Sequence, residues 1–499
     1  MRIKTTFHVV GSGMGGSSIA IRLAEMGFHV VLIDIDELNQ NANESFESVG
    51  IDFRHESTLS YELGGGSNLW HGVTAPLDAE DFTKGVGLTK FIPYEEMSEY
   101  WKMASNFLGF TNNAIVLDNI KSASIRIMAS DFPYNKLFFK PKLYKVLRRP
   151  IRFKSKLLDL ESRGLLTILR NSHVKRINLD ESKNKVNSIT VNISGDNFCS
   201  DVEVENLILC SGSINTVRIL LNSESFKEGA TFNSFGLIGR GYFDHPMGFL
   251  GKIVFDKPLL ARMYSDLPVD KNEKLRLGLV PIDTIKYGNT NIYFRPSTSV
   301  ANSRENDSLL ISLIKIKGIS DINLKLIWLI LTNPNVLIRG LLNKYSLPIK
   351  YRAADIFFVS EQTFNYKSRV RLGNKKDEFG FSNVVVDWRI SSFDYQKINN
   401  LFNLIVDSYS KISGLRLIDP PTLDGWKKVH TSAAHHLGGL LVGDCIENST
   451  VDKNLQFHGL KNLWVCDGSV FPAIGNSNPS LTIIALAMRL ANFLKNKFQ

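Results

Sequence analysis

Residues 7–36 read FHVVGSGMGGSSIAIRLAEMGFHVVLIDID. An apolar run over 7–10 predicts a buried strand, 17–26 a helix, and 29–35 a second strand, a βαβ start. The loop between them holds Gly11, Gly13, Met14, Gly15 and Gly16. Its glycines permit a tight turn, close approach of backbone to a pyrophosphate, and packing of helix on strand. The helix N-terminus turns free N–H groups and the positive end of its dipole toward the phosphates. Asp34 closes the second strand, placed to accept a hydrogen bond from a ribose hydroxyl. The context that a dinucleotide site requires is met in order, but the motif does not separate FAD from a nicotinamide cofactor.

With 499 residues the chain exceeds one ordinary core, so two structural units are expected, interleaved rather than consecutive. Short strands are predicted over 165–169, around Val174 and over 188–191. An apolar run over 204–209 then ends at Cys210-Ser211-Gly212-Ser213, and a helix over 215–221 returns the chain to the first sheet. Beyond residue 250 the texture changes. Segments 291–294, 309–316, 351–359, 368–372 and 383–388 are rich in β-branched and aromatic residues and predict an antiparallel sheet carrying the substrate site. The sequence shows no internal repeat and no low-complexity tract.

The formal charge is +10, from 59 basic and 49 acidic residues, which favours anionic partners or a membrane surface. Cys199, Cys210, Cys445 and Cys466 form no CxxC pair, so neither a metal site nor a disulfide framework is expected. Reduced thiols fit a cytosol, and the start of the chain leaves no room for a secretory signal. A cytoplasmic protein is expected, with peripheral contact at the inner face of a membrane as the variant. The apolar stretches 324–331 and 336–342 are too short to span a bilayer. They read as two core helices broken at Pro334; lying on a bilayer or covering a substrate channel stays open. The run from Lys136 to Lys156 mixes Lys140, Lys142, Lys145 and Arg152 with Phe138, Phe139 and Tyr144. It is read as a solvated, helix-bearing surface, with no nucleic acid expected.

The C-terminal region carries His435-His436-Leu437-Gly438-Gly439, then Phe457-His458-Gly459, then Gly475-Asn476-Ser477-Asn478-Pro479-Ser480. Together with the N-terminal loop, these segments resemble the glucose-methanol-choline (GMC) oxidoreductases, on the bacterial sugar and alcohol dehydrogenase and pyranose-oxidase-like side. Leu63-Gly64-Gly65-Gly66-Ser67-Asn68-Leu69-Trp70 is similar to the segment beside the flavin ring. Ile208 to Asn215 is similar to the one that returns to the pyrophosphate, and Asp244-His245-Pro246 to a further short motif of the family.

The resemblance implies a Rossmann-like FAD-binding unit interleaved with a unit built on an antiparallel sheet. The expected boundaries are 1–90, 155–250 and 430–499 for the first, and 91–154 and 251–429 for the second. The implied cofactor contacts are Gly11, Gly13, Met14, Gly15, Gly16, Asp34, Gly66, Ser67, Asn68, Leu69, Val174, Ser211, Gly212, Asp467, Gly468, Asn478, Pro479 and Ser480. Leu69 stands where relatives have a histidine for covalent attachment, so dissociable FAD is expected, with His71 as the variant. Leu440-Leu441-Val442-Gly443 replaces a polar, cationic stretch found in many relatives.

Alcohol oxidation by a flavin needs a base of near-neutral pKa and a hydride acceptor. The resemblance assigns the base to His436 and a hydrogen bond on the same oxygen to Asn478. His435 and His436 are adjacent, so on a strand only one faces the flavin. His435, His430, His245 and His458 are read as packed or surface groups. The expectation is an FAD-dependent oxidoreductase acting on a sugar, polyol or glycan-linked alcohol, anionic or lipid-linked in one variant. Its electron acceptor is not legible. Two rivals keep the flavin: lyase or decarboxylase chemistry on the same fold, and a membrane-surface flavin-binding protein.

Overall fold

The computed structural model describes residues 3–36, 46–83, 88–110, 134–193, 196, 198–259, 267–268, 271–297, 327–328, 350–377, 379–471 and 475–499. Five parallel strands form the first sheet, in the order Leu463–Val465, Asn206–Leu209, Ile3–Val10, Phe28–Ile33 and Thr167–Leu169. Both faces are covered, which is why these strands read as continuous apolar runs. Met14–Glu25 follows the first strand as the predicted helix, and the C-terminal helix Ser480–Phe498 packs on it. A three-stranded antiparallel sheet, Ser172–Leu179, Val186–Ile193 and Cys199–Glu203, lies beside this core.

The second sheet is antiparallel, in the order Leu415–Asp419, Pro246–Leu259, Tyr351–Ser360, Thr290–Ser297, Glu273–Pro281, Phe139–Leu147 and Val73–Thr74. Leu267–Pro268 and Thr431–Ser432 add two short edges. Alternation with period two sorts its side chains. Ile292, Phe294, Ile356 and Phe358 share an apolar core with Ile398, Leu401 and Phe402 of the helix Ser392–Tyr409. Tyr144, Tyr293, Phe357 and Phe249 have the opposite parity and form a chain of ring contacts across the other face.

Three expectations are corrected. The middle of the basic run is no solvated helical surface: Phe139–Leu147 is a strand inside the large sheet, and Lys142 and Lys145 are buried, 7% exposed each, while Lys136, Arg149 and Lys154 at its ends are exposed and a helix begins at Phe153. Lys142 meets Asp78 at 2.6 Å, and Lys145 lies 5.4 Å from the Phe110 ring, so both cations are compensated by tertiary contacts. The strands Arg369–Lys376 and Ser382–Trp388 are outside the large sheet; with Phe46–Gly50 they make a small sheet packed on the first core. The helix Tyr94–Phe107 also joins the first core, with Trp101 Nε1 donating to Thr482 Oγ1 at 3.1 Å. The FAD-side unit therefore reaches into both ranges that the sequence assigned to the other unit. Segments 309–316 and 336–342, and all of 324–331 except 327–328, lie outside the described residues. Among the described residues no helix is long and apolar enough to cross a membrane.

Candidate active site

The parallel strands bring Gly11, Cys210 and Cys466 to one edge of the sheet. Gly11 has φ +93°, and a Cβ on it would lie 2.7 Å from the Cys210 carbonyl oxygen. On Gly15 a Cβ would lie 2.0 Å from the Cys466 carbonyl oxygen, and on Gly16 it would lie 1.8 Å from that of Gly11. These glycines are demanded by chain packing. Gly13, Gly66 and Gly212 differ, since a Cβ on any of them meets no other part of the chain within 4 Å. Gly13 caps the helix Met14–Glu25, and Gly212 opens the helix Gly212–Leu221. Gly65 comes within 2.9 Å of the Gly13 Cα by the same measure, so Gly66 belongs to the same neighbourhood. The result is a backbone-lined cradle at a helix N-terminus, suited to a pyrophosphate.

Asp34 stands at the strand end beside this cradle. Its Oδ2 accepts from Ser12 N at 2.6 Å and its Oδ1 from Asp36 N at 3.0 Å, leaving lone pairs for a ribose. Burial pushes its pKa up to about 6 against the pull of those N–H groups. Ser172 N donates to the Asp34 carbonyl at 3.0 Å, which places the strand bearing half-buried Val174 next to that end. Met14 packs on the first core, Ser67 is fully buried, Asn68 donates to Leu63 O at 3.2 Å, and Leu69 is 40% exposed. Ser211 Oγ donates to Val10 O at 3.2 Å.

The Asp467 carboxylate is engaged within the chain. Oδ2 accepts from Gly212 N at 2.9 Å and Thr216 Oγ1 at 2.6 Å; Oδ1 accepts from Ser469 N at 2.8 Å and Ser469 Oγ at 2.5 Å. Four bonds fill the acceptor capacity of a carboxylate, so none is left for a ligand. Asp467 locks the helix at Gly212 to the Gly468 turn, and burial raises its pKa despite those donors.

The second half of the site is built on the turn before His435. Ala434 has φ +59°, a left-handed conformation uncommon for alanine, held by Asp244 beneath it. Buried Asp244 accepts from Ser432 Oγ at 2.7 Å and from the backbone N–H groups of Ala433 at 3.1 Å and His435 at 3.2 Å. That turn sends the two histidines apart. His436 Nδ1 lies 2.8 Å from Tyr242 Oη and 3.3 Å from Asp244 Oδ2, and its Nε2 is enclosed without a partner. His435 Nε2 lies 3.2 Å from Asn478 Nδ2. The structure thus pairs Asn478 with His435 and not with His436. Burial lowers the His435 pKa to about 4, with the neighbouring His436 adding to that effect and Asp244 opposing it, so the ring is neutral at physiological pH.

The loop carrying Asn478 is clamped to the large sheet. Tyr144 Oη donates to Asn476 Oδ1 at 3.1 Å, Lys142 Nζ to Ser477 Oγ at 2.8 Å, and Gly475 N to Glu361 Oε1 at 2.7 Å. Pro479 then caps the helix beginning at Ser480. Residues 365–487, which include the His435-His436 turn and the Asn478 loop, match the GMC oxidoreductase family model, and residues 9–38 match an NAD(P)-binding Rossmann-like domain.

Over residues 365–487 the chain thus resembles the C-terminal domain of the GMC oxidoreductases. A cholesterol oxidase of Mycobacterium tuberculosis is 41% identical over 64 residues, 13% of this chain and 11% of that protein. Paromamine 6'-oxidase of Streptomyces fradiae is 29% identical over 127 residues, 26% of this chain and 23% of its own length. The chain thus matches less than a quarter of either relative. Among solved structures, pyridoxine 4-oxidase from Mesorbium loti superposes with a TM-score of 0.59 at 15% identity, covering 99% of both chains. An Aspergillus oryzae formate oxidase variant gives 0.62 at 16% identity, covering 100% of this chain and 99% of that one. At these identities the superpositions establish the fold.

Sequence reasoning missed His435, His245, Tyr242 and Asp244 as members of the site. Asp244-His245-Pro246 stood out as a motif, but nothing in the linear order linked it to His435-His436, about 190 positions later. Antiparallel pairing between Phe243 and Leu437 makes that link.

Proposed function

We propose that this chain is a GMC-type, FAD-dependent oxidoreductase acting on a CH–OH donor, with His435 as the proton acceptor. The observation that carries the reading is the His435–Asn478 pair at 3.2 Å, on a loop joined directly to the helix that packs against the glycine-loop helix. FAD fits the cradle because Gly13, Gly66 and Gly212 leave open the flank that a pyrophosphate needs. Bound FAD supplies the acceptor for the hydride leaving the carbinol carbon.

The chain's own residues handle the proton. Neutral His435 offers the Nε2 lone pair to the donor hydroxyl, while the Asn478 amide shares that position and steadies the oxygen as charge develops on it. His436, enclosed at Nε2 and held by Tyr242 and Asp244, supports the turn from behind. The donor is a sugar, polyol or glycan-linked alcohol. Supporting this class are the aromatic rings on the site-facing side of the large sheet and the likeness to paromamine 6'-oxidase. Four free cysteines support a cytoplasmic location.

The test is anaerobic addition of aldoses, polyols, primary alcohols and a 3β-hydroxysteroid while the flavin band is followed. A donor should bleach the wild type, and His435→Ala should slow bleaching by at least about 100-fold, as loss of a general base does. His436→Ala should retain more of the rate. A reversed order of the two variants would return the base to His436, and a flavin that no donor bleaches would count against alcohol oxidation.

A further inference from the structure

We infer that His245 is a positioning residue that sets the tautomer of His435, keeping the Nε2 lone pair free to face the donor. This rests on the reading of His435 as proton acceptor and adds a residue that works only through it. His245 is 1% exposed, and its Nδ1 lies 2.8 Å from the Nδ1 of His435, with the rings perpendicular. Two imidazole Nδ1 atoms at that distance form a hydrogen bond only when one of them carries a proton. The two tautomers are therefore locked in opposition.

Asn478 chooses between the arrangements. Asn478 presents its amide nitrogen to His435 Nε2, which requires a lone pair there and puts the His435 proton on Nδ1. On the other ring, His245 Nε2 is enclosed and makes no close hydrogen bond. A proton on His245 Nε2 leaves His245 Nδ1 as the acceptor for His435 Nδ1–H. The Asn478 contact thus selects one arrangement: His435 Nδ1–H, a His435 Nε2 lone pair aimed at Asn478, and the His245 proton left to Nε2. The charged and titratable groups around the pair are Asp244 beneath the turn, His436 on the far side, and Lys142 of the strand Phe139–Leu147. Burial pushes the His245 pKa down to about 3, so it serves as a neutral acceptor. When His435 takes the donor's proton on Nε2, its Nδ1–H stays bonded to that acceptor. The adjacent residues Asp244 and His245 therefore divide the work: one holds the turn and His436, the other orients His435.

The experiment uses the full chain, loaded with FAD and labelled only with 15N-histidine, with tautomers read from long-range proton–nitrogen spectra. The His435 signals are assigned by their loss in His435→Gln. Wild type should show His435 protonated at Nδ1 and bare at Nε2. His245→Leu should lose at least half of that population to the Nε2–H form, and His245→Asn should restore it, since the asparagine oxygen takes the place of the lost Nδ1. An Nε2–H tautomer in the wild type, or a His245→Leu protein with His435 unchanged, would overturn the proposal. The wild-type spectrum decides even if the leucine variant fails to fold. Bleaching of His435→Gln at the wild-type rate would instead overturn the role of His435 as base and leave the tautomer result standing.

Discussion

Gly13→Ala adds a methyl group with no other part of the chain within 4 Å, whereas Gly15→Ala sets one 2.0 Å from the Cys466 carbonyl oxygen. Carbon–oxygen contacts settle at about 3.3–3.6 Å, so the second change must drive the helix and the Cys466 strand end apart by more than 1 Å. Overpacking of that kind costs about 1–3 kcal/mol or more in the folded chain itself. At Gly13 the balance is different. Its φ of −64° and ψ of −163° suit alanine. Loss of a glycine N-cap costs about 1 kcal/mol, which is largely offset by about 0.4–1 kcal/mol from a stiffer unfolded chain. The methyl would instead occupy the flank where the pyrophosphate approaches, costing about 1–3 kcal/mol of binding, or about 5- to 150-fold in dissociation constant.

The assay is thermal unfolding of cofactor-stripped protein with and without added FAD, together with flavin absorbance retained after gel filtration. Stripped Gly13→Ala should melt with wild type and gain little from FAD. Stripped Gly15→Ala should melt below both. Since a ligand at 100 times its dissociation constant stabilises by about 2.7 kcal/mol, the contrast should be measurable. A Gly13→Ala protein that retains FAD like wild type would refute the cradle, and a stripped Gly15→Ala protein with unchanged melting would refute the packing.

Asp467→Ala should be among the most damaging single changes. It strands the donors of Gly212, Thr216 and Ser469 in a buried site, and the loss should be about 3 kcal/mol or more in a urea titration of stripped protein, with Asp467→Asn keeping part of it. Acid should weaken the fold through His435, whose pKa falls from 6.5 to about 4 on folding. Below pH 6.5 the unfolded chain binds the proton that the folded ring refuses, so stability falls as pH drops from 6.5 to 4, by about 3 kcal/mol at most for this group. Replacing His435 by Asn should flatten that part of the stability–pH curve, and an unchanged slope would count against a buried neutral ring.

Much of the fold was legible because period and punctuation carry it. The alternation of Thr290–Ser297 and Tyr351–Ser360 and the βαβ start around Gly11 both survive in the structure as read. Arg369–Lys376 was equally visible as a strand, yet its sheet was not, because strand propensity says nothing about which partner supplies the ladder. The lysine-rich strand Phe139–Leu147 failed for a related reason. A charge run ordinarily means solvent, and only Asp78 and Ser477, brought in from elsewhere in the chain, make a buried Lys142 affordable.

By itself the sequence determined that a glycine loop begins a dinucleotide fold and that His435-His436 and Asn478 lie in motifs resembling one family. The tertiary structure alone decided which histidine meets Asn478. Neighbouring residues point apart, and a one-residue shift exchanges their surroundings completely. Asp244 sets that register by holding Ala434 in a left-handed turn, and it arrives there through pairing between segments about 190 residues apart. Such a contact leaves no local pattern, because its energy comes from burial and hydrogen bonding that exist only once both cores have formed.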